Sequence, residues 1–124
     1  MNINQINPAV LAYIGDSIYE VLVRNYLISN NKCNVNELQQ MAVGYVSAKV
    51  QADILDKLLI RQIFSEQELY TIKRARNYTP NSKPKHVSIK TYKKATALEA
   101  LFGMLFLNND KERIEYIFKE IIGE

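Results

Sequence analysis

The chain has 124 residues and a formal net charge of +3. A chain of this length buries about two-thirds of the surface that its unfolded form exposes, so its core needs neither disulfides nor a structural metal. The single Cys33 excludes an internal disulfide and a cysteine-rich metal site. Residues 1–10 lack the features of a signal peptide, and no stretch approaches the ~18 apolar residues of a membrane span. We therefore expect a cytoplasmic protein with no membrane partner.

The first half of the chain predicts helices separated by a polar turn. Pro8 suits a first helical turn with Asn7 as its N-cap, and apolar residues then recur at helical spacing. Asn36, followed three residues later by a glutamine, resembles a capping box that opens a helix to about Asp56. The segment "KLLIRQIF" that follows predicts one or two turns against the core.

The second half continues the helical pattern. Ser65 with Glu68 forms a capping box for a helix to about Asn77, and the proline-containing "YTPNSKPKHVS" predicts a loop. A helix from about Thr91 to Leu107 and a last amphipathic helix follow. The sequence therefore predicts an all-α fold with one domain over residues 1–124. Three tyrosines are expected to pack in its core: Tyr13, Tyr19 and Tyr45.

Gly15 and Asp16 interrupt the apolar pattern of the first helix. A glycine in a helix interior costs about 1 kcal/mol relative to alanine, so Gly15 indicates a close approach by a ligand or by another backbone. Asp16 and Glu20 lie one turn apart on one helical face, and paired carboxylates suit a hard divalent cation. The alternatives are a solvated helix face for the acids and close helix packing for Gly15.

Glu99 is the only acid between Glu68 and Asp110, and it lies in the apolar helix "KKATALEALFGMLFL". A charge in such a helix is rarely buried unless it is paired or binds a metal. The alternative is that Glu99 lies at the exposed edge of an amphipathic helix. Gly103 follows one turn later and repeats the pairing of a glycine with an acid.

Residues 69–98 carry eight lysines and arginines, the only histidine and no acid. A lysine-rich loop between basic helix ends fits duplex RNA, which proteins bind through its phosphates and 2′-hydroxyls. The alternative is a solvated basic surface. His86 has no partner cluster and suits a phosphate neighbour better than a catalyst. The candidate RNA-binding residues are Arg74, Arg76, Lys83, Lys85, Lys90, Lys93 and Lys94.

Four segments of the chain resemble the ribonuclease III family. "LAYIGDSIYEVLVRNYLI" is similar to the family's signature helix, and "ALEALFGMLFL" is similar to its second motif. The segments "VSAKVQA" and "RARN", with no double-stranded-RNA-binding domain present, resemble the Mini-III branch. The resemblance spans essentially the whole chain and implies a ribonuclease III-type helical domain.

The resemblance also implies a catalytic site. Asp16 and Glu99 would be the catalytic residues and the ligands of Mg²⁺, for which Mn²⁺ can substitute. Glu20 would orient metal-bound waters without touching the ion. Ala12 and Thr96 stand where the larger enzymes of the family carry two further carboxylates. The resemblance therefore implies a metal site with fewer carboxylates than theirs.

The activity that the resemblance implies is hydrolysis of double-stranded RNA by a homodimer, leaving 5′-phosphate and 3′-hydroxyl ends. The implied substrate is 23S ribosomal RNA precursor, and assistance by a ribosomal protein stays open. One alternative is a catalytically weak or inactive RNA-binding or ribosome-associated protein on the same fold. Another is a helical adaptor, which would have an acid-balanced surface and which residues 69–98 contradict.

Overall fold

A computed structural model describes residues 2–123, and these residues form six α-helices and no strand. The predicted all-α fold is confirmed. Within this part of the chain, no helix is both long and apolar enough to cross a membrane. A turn of 3-10 helix at Ile3–Gln5 precedes α1 (Pro8–Asn30), α2 (Val35–Val46), α3 (Ala48–Arg61), α4 (Glu66–Asn77), α5 (Ile89–Leu107) and α6 (Lys111–Ile122).

Helix α5 is the centre of the fold. It is apolar on nearly every side from Ala95 to Leu105, and a helix with that pattern has to be surrounded by other elements. Helices α1, α3, α4 and α6 pack around it. Tyr19 of α1 lies against Phe102 of α5 and Phe118 of α6, with ring centroids 5.4 Å and 6.3 Å away.

Two glycines let α1 and α5 touch backbone to backbone. A Cβ atom added to Gly15 would lie 1.7 Å from the carbonyl oxygen of Glu99. A Cβ atom added to Gly103 would lie 1.9 Å from the carbonyl oxygen of Leu11. Close helix packing therefore accounts for Gly15, and the second glycine serves the same crossing from the other helix.

The single helix expected from Asn36 to about Asp56 is wrong, because the chain breaks at Ser47. Ser47 has an extended backbone that ends α2, and its side chain accepts a hydrogen bond from the N–H of Val50, 3.4 Å away, to begin α3. The N-cap of α2 is Asn34, which accepts from the N–H of Glu37 at 2.9 Å. Most of "KLLIRQIF" continues α3 instead of forming separate turns.

The N-caps predicted for α1 and α4 are confirmed. Asn7 accepts a hydrogen bond from the N–H of Ala9 at 2.8 Å. Ser65 and Glu68 form the capping box, with bonds of 2.8 Å and 3.2 Å.

Glu68 also forms a buried ion pair that joins α4 to α6. Arg113 donates to both of its carboxylate oxygens, at 2.7 Å and 2.9 Å, and to the carbonyl of Ile63. Burial opposes ionisation of Glu68, but the hydrogen bonds from Arg113 and Ser65 outweigh it, so the pKa of Glu68 is lowered.

The outer face of α1 is apolar and exposed. Tyr13, expected in the core, is 81% exposed, because it lies two residues from the buried Leu11 and so points away from α5. Val10 and Val21 are also exposed on α1. Of the other two tyrosines, Tyr19 is buried, and its hydroxyl donates to the carbonyl of the half-buried Tyr45 at 2.9 Å.

Candidate active site

The crossing of α1 and α5 brings Asp16 and Glu99 together. Gly15 rests on the backbone of Glu99, so the next residue of α1, Asp16, emerges beside the Glu99 side chain. Asp16 is exposed and Glu99 is half-buried. Burial, with Asp16 as a hydrogen-bonding and negatively charged neighbour, raises the pKa of Glu99 to about 8. The two acids that the motifs single out are therefore neighbours in space.

This carboxylate pair fits a hydrated divalent cation. The four ion pairs formed within residues 2–123 involve neither Asp16 nor Glu99. In the same part of the chain, no cluster of three or more His, Cys, Asp or Glu residues could hold a metal. Mg²⁺ commonly binds one or two carboxylates and keeps several of its waters, so two acids are a sufficient protein contribution.

Glu20 lies one turn after Asp16 on α1. It is half-buried and accepts a hydrogen bond from Arg24 at 3.1 Å, as an ion pair within the helix. Its charge adds to the causes that raise the pKa of Glu99, so it is close enough to act on the carboxylate pair through space. The role in orienting metal-bound waters stays a prediction.

The two positions that lack the family's carboxylates have different surroundings. Ala12 is 7% exposed and belongs to the hydrophobic core. Thr96 lines a cavity of about 220 Å³ with Tyr78, Tyr92 and Lys93. Neither position supplies a charge to the site.

Gln51 of α3 is a site residue that the sequence patterns did not single out. Its amide lies beside Glu99 and lowers the pKa of that carboxyl group, opposing burial and Asp16. It is 2% exposed. A sequence signal existed, because Gln51 lies in the segment "VSAKVQA" and shares the apolar face of its helix with Leu55.

The structure keeps most of the basic residues at the surface. Exposed residues occur at the end of α4, in the loop over residues 78–88 and at the start of α5, while Lys93 is half-buried. The contact between these side chains and RNA stays a prediction. The exposed candidates are Arg76, Lys83, Lys85 and Lys90.

Two of the candidate RNA-binding residues have partners inside the fold. The Lys94 ammonium donates to Asp56 of α3 at 2.8 Å, and its side chain is only 16% exposed. The Arg74 guanidinium donates to the carbonyl of Ile6 and lies over the ring of Tyr70. These contacts tie α5 to α3 and α4 to the N-terminal segment. The contact of Lys94 and Arg74 with RNA stays a prediction.

The ribonuclease III domain model matches residues 9–110, a range that includes both acids at the α1–α5 crossing. Curated proteins called Mini-ribonuclease 3 are similar over nearly the whole chain. The one from Staphylococcus aureus is 39% identical, over 98% of this chain and 90% of its own length. The one from Clostridium tetani is 40% identical, over 98% and 80%. The chain therefore belongs to the ribonuclease III family, in its Mini-III branch.

A solved structure supports the same fold. The chain is similar to a crystallised protein of Fusobacterium nucleatum with a TM-score of 0.84 and 30% sequence identity, over 96% of this chain and 93% of that one. The resemblance that the four motifs indicated is thus confirmed. The activity of the family is that of an endoribonuclease acting on RNA.

Proposed function

We propose that this chain is a divalent-metal-dependent endoribonuclease that hydrolyses duplex RNA at Asp16 and Glu99, with Mg²⁺ as the natural ion and Mn²⁺ as a substitute. The observation that carries the proposal is the contact of these two acids at the α1–α5 crossing. A protein that only binds RNA gains nothing from unpaired acids that would repel phosphate. An enzyme needs them to hold a cation.

Asp16 and Glu99 would hold the ion directly or through its waters. The bound ion supplies an activated water and stabilises charge on the phosphate and the leaving oxygen. Because the pKa of Glu99 is raised to about 8, a proton competes for the same carboxylate at neutral pH. Hydrolysis would leave a 5′-phosphate and a 3′-hydroxyl, and Glu20 would orient waters around the site.

The exposed basic residues support a duplex RNA substrate. Lys83, Lys85 and Lys90 extend from the loop and the start of α5, with no acid between Glu68 and Glu99 to oppose them. Contacts of this kind read the shape and backbone of a duplex and not its bases. Within that class, we propose 23S ribosomal RNA precursor, processed in the cytoplasm with or without a ribosomal protein.

A second copy of the chain is the proposed partner of the outer face of α1. Tyr13 and Val21 are exposed there, and Val21 lines a cavity of about 500 Å³ with Phe106 and Ile114. Large exposed apolar side chains on one face of a helix favour an interaction site, and a two-fold dimer can cover that face in both copies at once. Sedimentation velocity tests this: a monomer at micromolar concentration would contradict the homodimer.

The first experiment is cleavage of a long RNA duplex with Mg²⁺, comparing the wild type with Asp16→Asn and Glu99→Gln. We expect both variants to cut at least about 100-fold more slowly, since each removes a charge that holds the ion. Asp53→Asn and Glu37→Gln are the matched controls, because both acids are exposed and lie on other helices. These controls should cut at the wild-type rate.

Two outcomes would contradict the proposal. If Asp16→Asn and Glu99→Gln cut as fast as the wild type, the assignment of these two acids as the catalytic residues is wrong. If the wild type binds the duplex and leaves it intact with Mg²⁺ or Mn²⁺, the protein is the RNA-binding alternative on the same fold.

A further inference from the structure

Gln51 is a buried polar side chain beside the carboxylate pair that the proposed reaction leaves without a role. We infer that Gln51 is a positioning residue of the metal site: its amide holds Glu99 in place, and its Oε1 accepts a hydrogen bond from a water bound to the ion. This inference rests on the proposed function, because it requires an ion between Asp16 and Glu99.

The Gln51 amide is anchored by the backbone. Its Nε2 donates to the carbonyl of Val46, 2.9 Å away, where α2 ends at the break before Ser47. This bond determines the orientation of the amide, because rotating it by 180° would set the amide oxygen against a carbonyl oxygen. The turn between α2 and α3 thus has a consequence at the site, since it fixes which way the Gln51 oxygen faces.

The Oε1 atom of Gln51 is buried and has no hydrogen-bond partner among residues 2–123. A buried acceptor without a donor costs about 1–3 kcal/mol. The same part of the chain holds two other buried side-chain atoms without a hydrogen-bond partner, Oγ1 of Thr71 and the donor Nη1 of Arg74, both of α4. Gln51 differs from them because it lies beside Glu99.

The chemistry of the surroundings indicates which donor would satisfy this oxygen. With a cation bound, the neighbouring Asp16, Glu20 and Glu99 would be ionised, and ionised carboxylates only accept hydrogen bonds. Without a cation, Glu99 holds its proton at neutral pH, and the hydrogen bond that raises its pKa joins it to Asp16 and not to Gln51. A water held by a divalent cation turns its oxygen to the ion and both hydrogens outward. Such a water can donate to Gln51 and to a carboxylate together, as partners outside the coordination sphere commonly require.

The test is the affinity for Mn²⁺ without RNA, measured from the electron paramagnetic resonance signal of free Mn²⁺. Gln51→Leu removes the amide at similar size, and we expect its Mn²⁺ affinity to fall about 10-fold. Gln51→Glu keeps an oxygen and adds a negative charge. The attraction of that charge for the ion should outweigh the loss of the donor to the Val46 carbonyl, so the Mn²⁺ affinity should exceed that of the wild type. A purely structural role would not separate the two substitutions in opposite directions.

The control variant is Thr71→Val, which removes another buried polar atom without a partner, on α4. It should bind Mn²⁺ as the wild type does. Asp16→Asn separates the two proposals: if it keeps full Mn²⁺ affinity, the metal site of the proposed function is wrong. If Asp16→Asn loses affinity while Gln51→Leu keeps it within two-fold, the role of Gln51 is wrong.

Should Gln51→Leu fail to fold by circular dichroism, Gln51→Glu decides alone. An Mn²⁺ affinity above that of the wild type supports the inference, and any lower or equal value overturns it.

Discussion

Glu99 combines two opposing demands at the level of a single residue. Its backbone carbonyl packs against Gly15 in the helix crossing, while its carboxyl group lies beside Asp16, where it would hold the proposed cation. Burial and the neighbouring Asp16 raise its pKa to about 8. Without a cation, the ionised form of Glu99 therefore destabilises the fold.

The first prediction concerns the stability of the metal-free protein against pH. A carboxyl group whose pKa is higher in the folded state than its ordinary value of 4.5 binds its proton more tightly when folded. Its effect is to lower stability as the pH rises from about 4.5 to about 8, with no further change above that window. Glu99→Gln should remove this slope.

At pH 8 without divalent cations, we expect Glu99→Gln to be more stable than the wild type. Since Glu99 is half-buried and water screens part of the penalty, the gain should be roughly 1–3 kcal/mol. Thermal unfolding measures it, with the exposed Glu37→Gln as the control. Addition of Mg²⁺ should narrow the difference by stabilising the wild type. Equal melting temperatures of wild type and Glu99→Gln at pH 8 would contradict the prediction.

Sequence patterns identified site residues where the chain departs from its local pattern. Asp16 and Glu99 were predictable, because an acid in an apolar helix requires an explanation from the sequence alone. The ion pair of Lys94 with Asp56 was not predictable from the sequence. The opposing Asp56 lies 38 residues away in the sequence, on a helix whose orientation no local pattern supplies.

At the scale of elements, the α1–α5 crossing is the contact on which the site depends. Its closeness comes from Gly15 and Gly103, where a side chain would overlap backbone atoms of the opposite helix. Backbone cannot move aside as the end of a flexible side chain can. A substitution at either glycine must therefore push the two helices apart, and with them Asp16 from Glu99.

The second prediction is that Gly15→Ala destabilises the protein by roughly 3 kcal/mol or more, because the added Cβ would lie 1.7 Å from the Glu99 carbonyl oxygen. Gly44→Ala of α2 is the matched control, since nothing lies within 4 Å of its Cβ position. Alanine there should stabilise the helix by about 1 kcal/mol. Urea unfolding measures the free energy of unfolding of both variants. A Gly15→Ala variant as stable as the wild type would contradict the backbone contact between α1 and α5.

Helix boundaries show what local signals can and cannot decide. The capping box of Ser65 and Glu68 was predictable, because its bonds join neighbours in the sequence. The break at Ser47 was not, because the apolar pattern continues through it and a serine also occurs inside helices. Its position matters for the site, since the break leaves the Val46 carbonyl free to hold Gln51.

Over the whole molecule, charge and apolar surface are divided between regions. The segment over residues 69–98 carries eight of the sixteen lysines and arginines, and the acids lie before and after it. Helix α1 carries exposed apolar residues such as Tyr13 and Val21 on its outer face and Asp16 toward α5. The division of charge could be predicted from the positions of the acids and bases along the sequence. The apolar face could not, because it depends on which side of α1 meets α5.

The last prediction uses this division of charge. Each phosphate that a protein neutralises releases counterions, so the logarithm of RNA affinity falls with the logarithm of salt by about 0.7–0.9 per contact. Replacing Lys83 and Lys85 together by alanine should lower this slope by up to about 2 and weaken binding more at low salt than at high salt. The control replaces Lys32 and Lys119, which are exposed and lie outside residues 69–98.

The measurement is the affinity for a duplex RNA without divalent cations at a series of salt concentrations. Both double variants remove the same formal charge, so any effect of net charge alone appears equally in both. Because the loop lysines are proposed to touch phosphate directly, the control slope should match the wild type while the loop variant becomes flatter. Equal slopes in the two variants would contradict the proposal that Lys83 and Lys85 contact phosphate. The proposal that Asp16 and Glu99 form the metal site does not depend on this result.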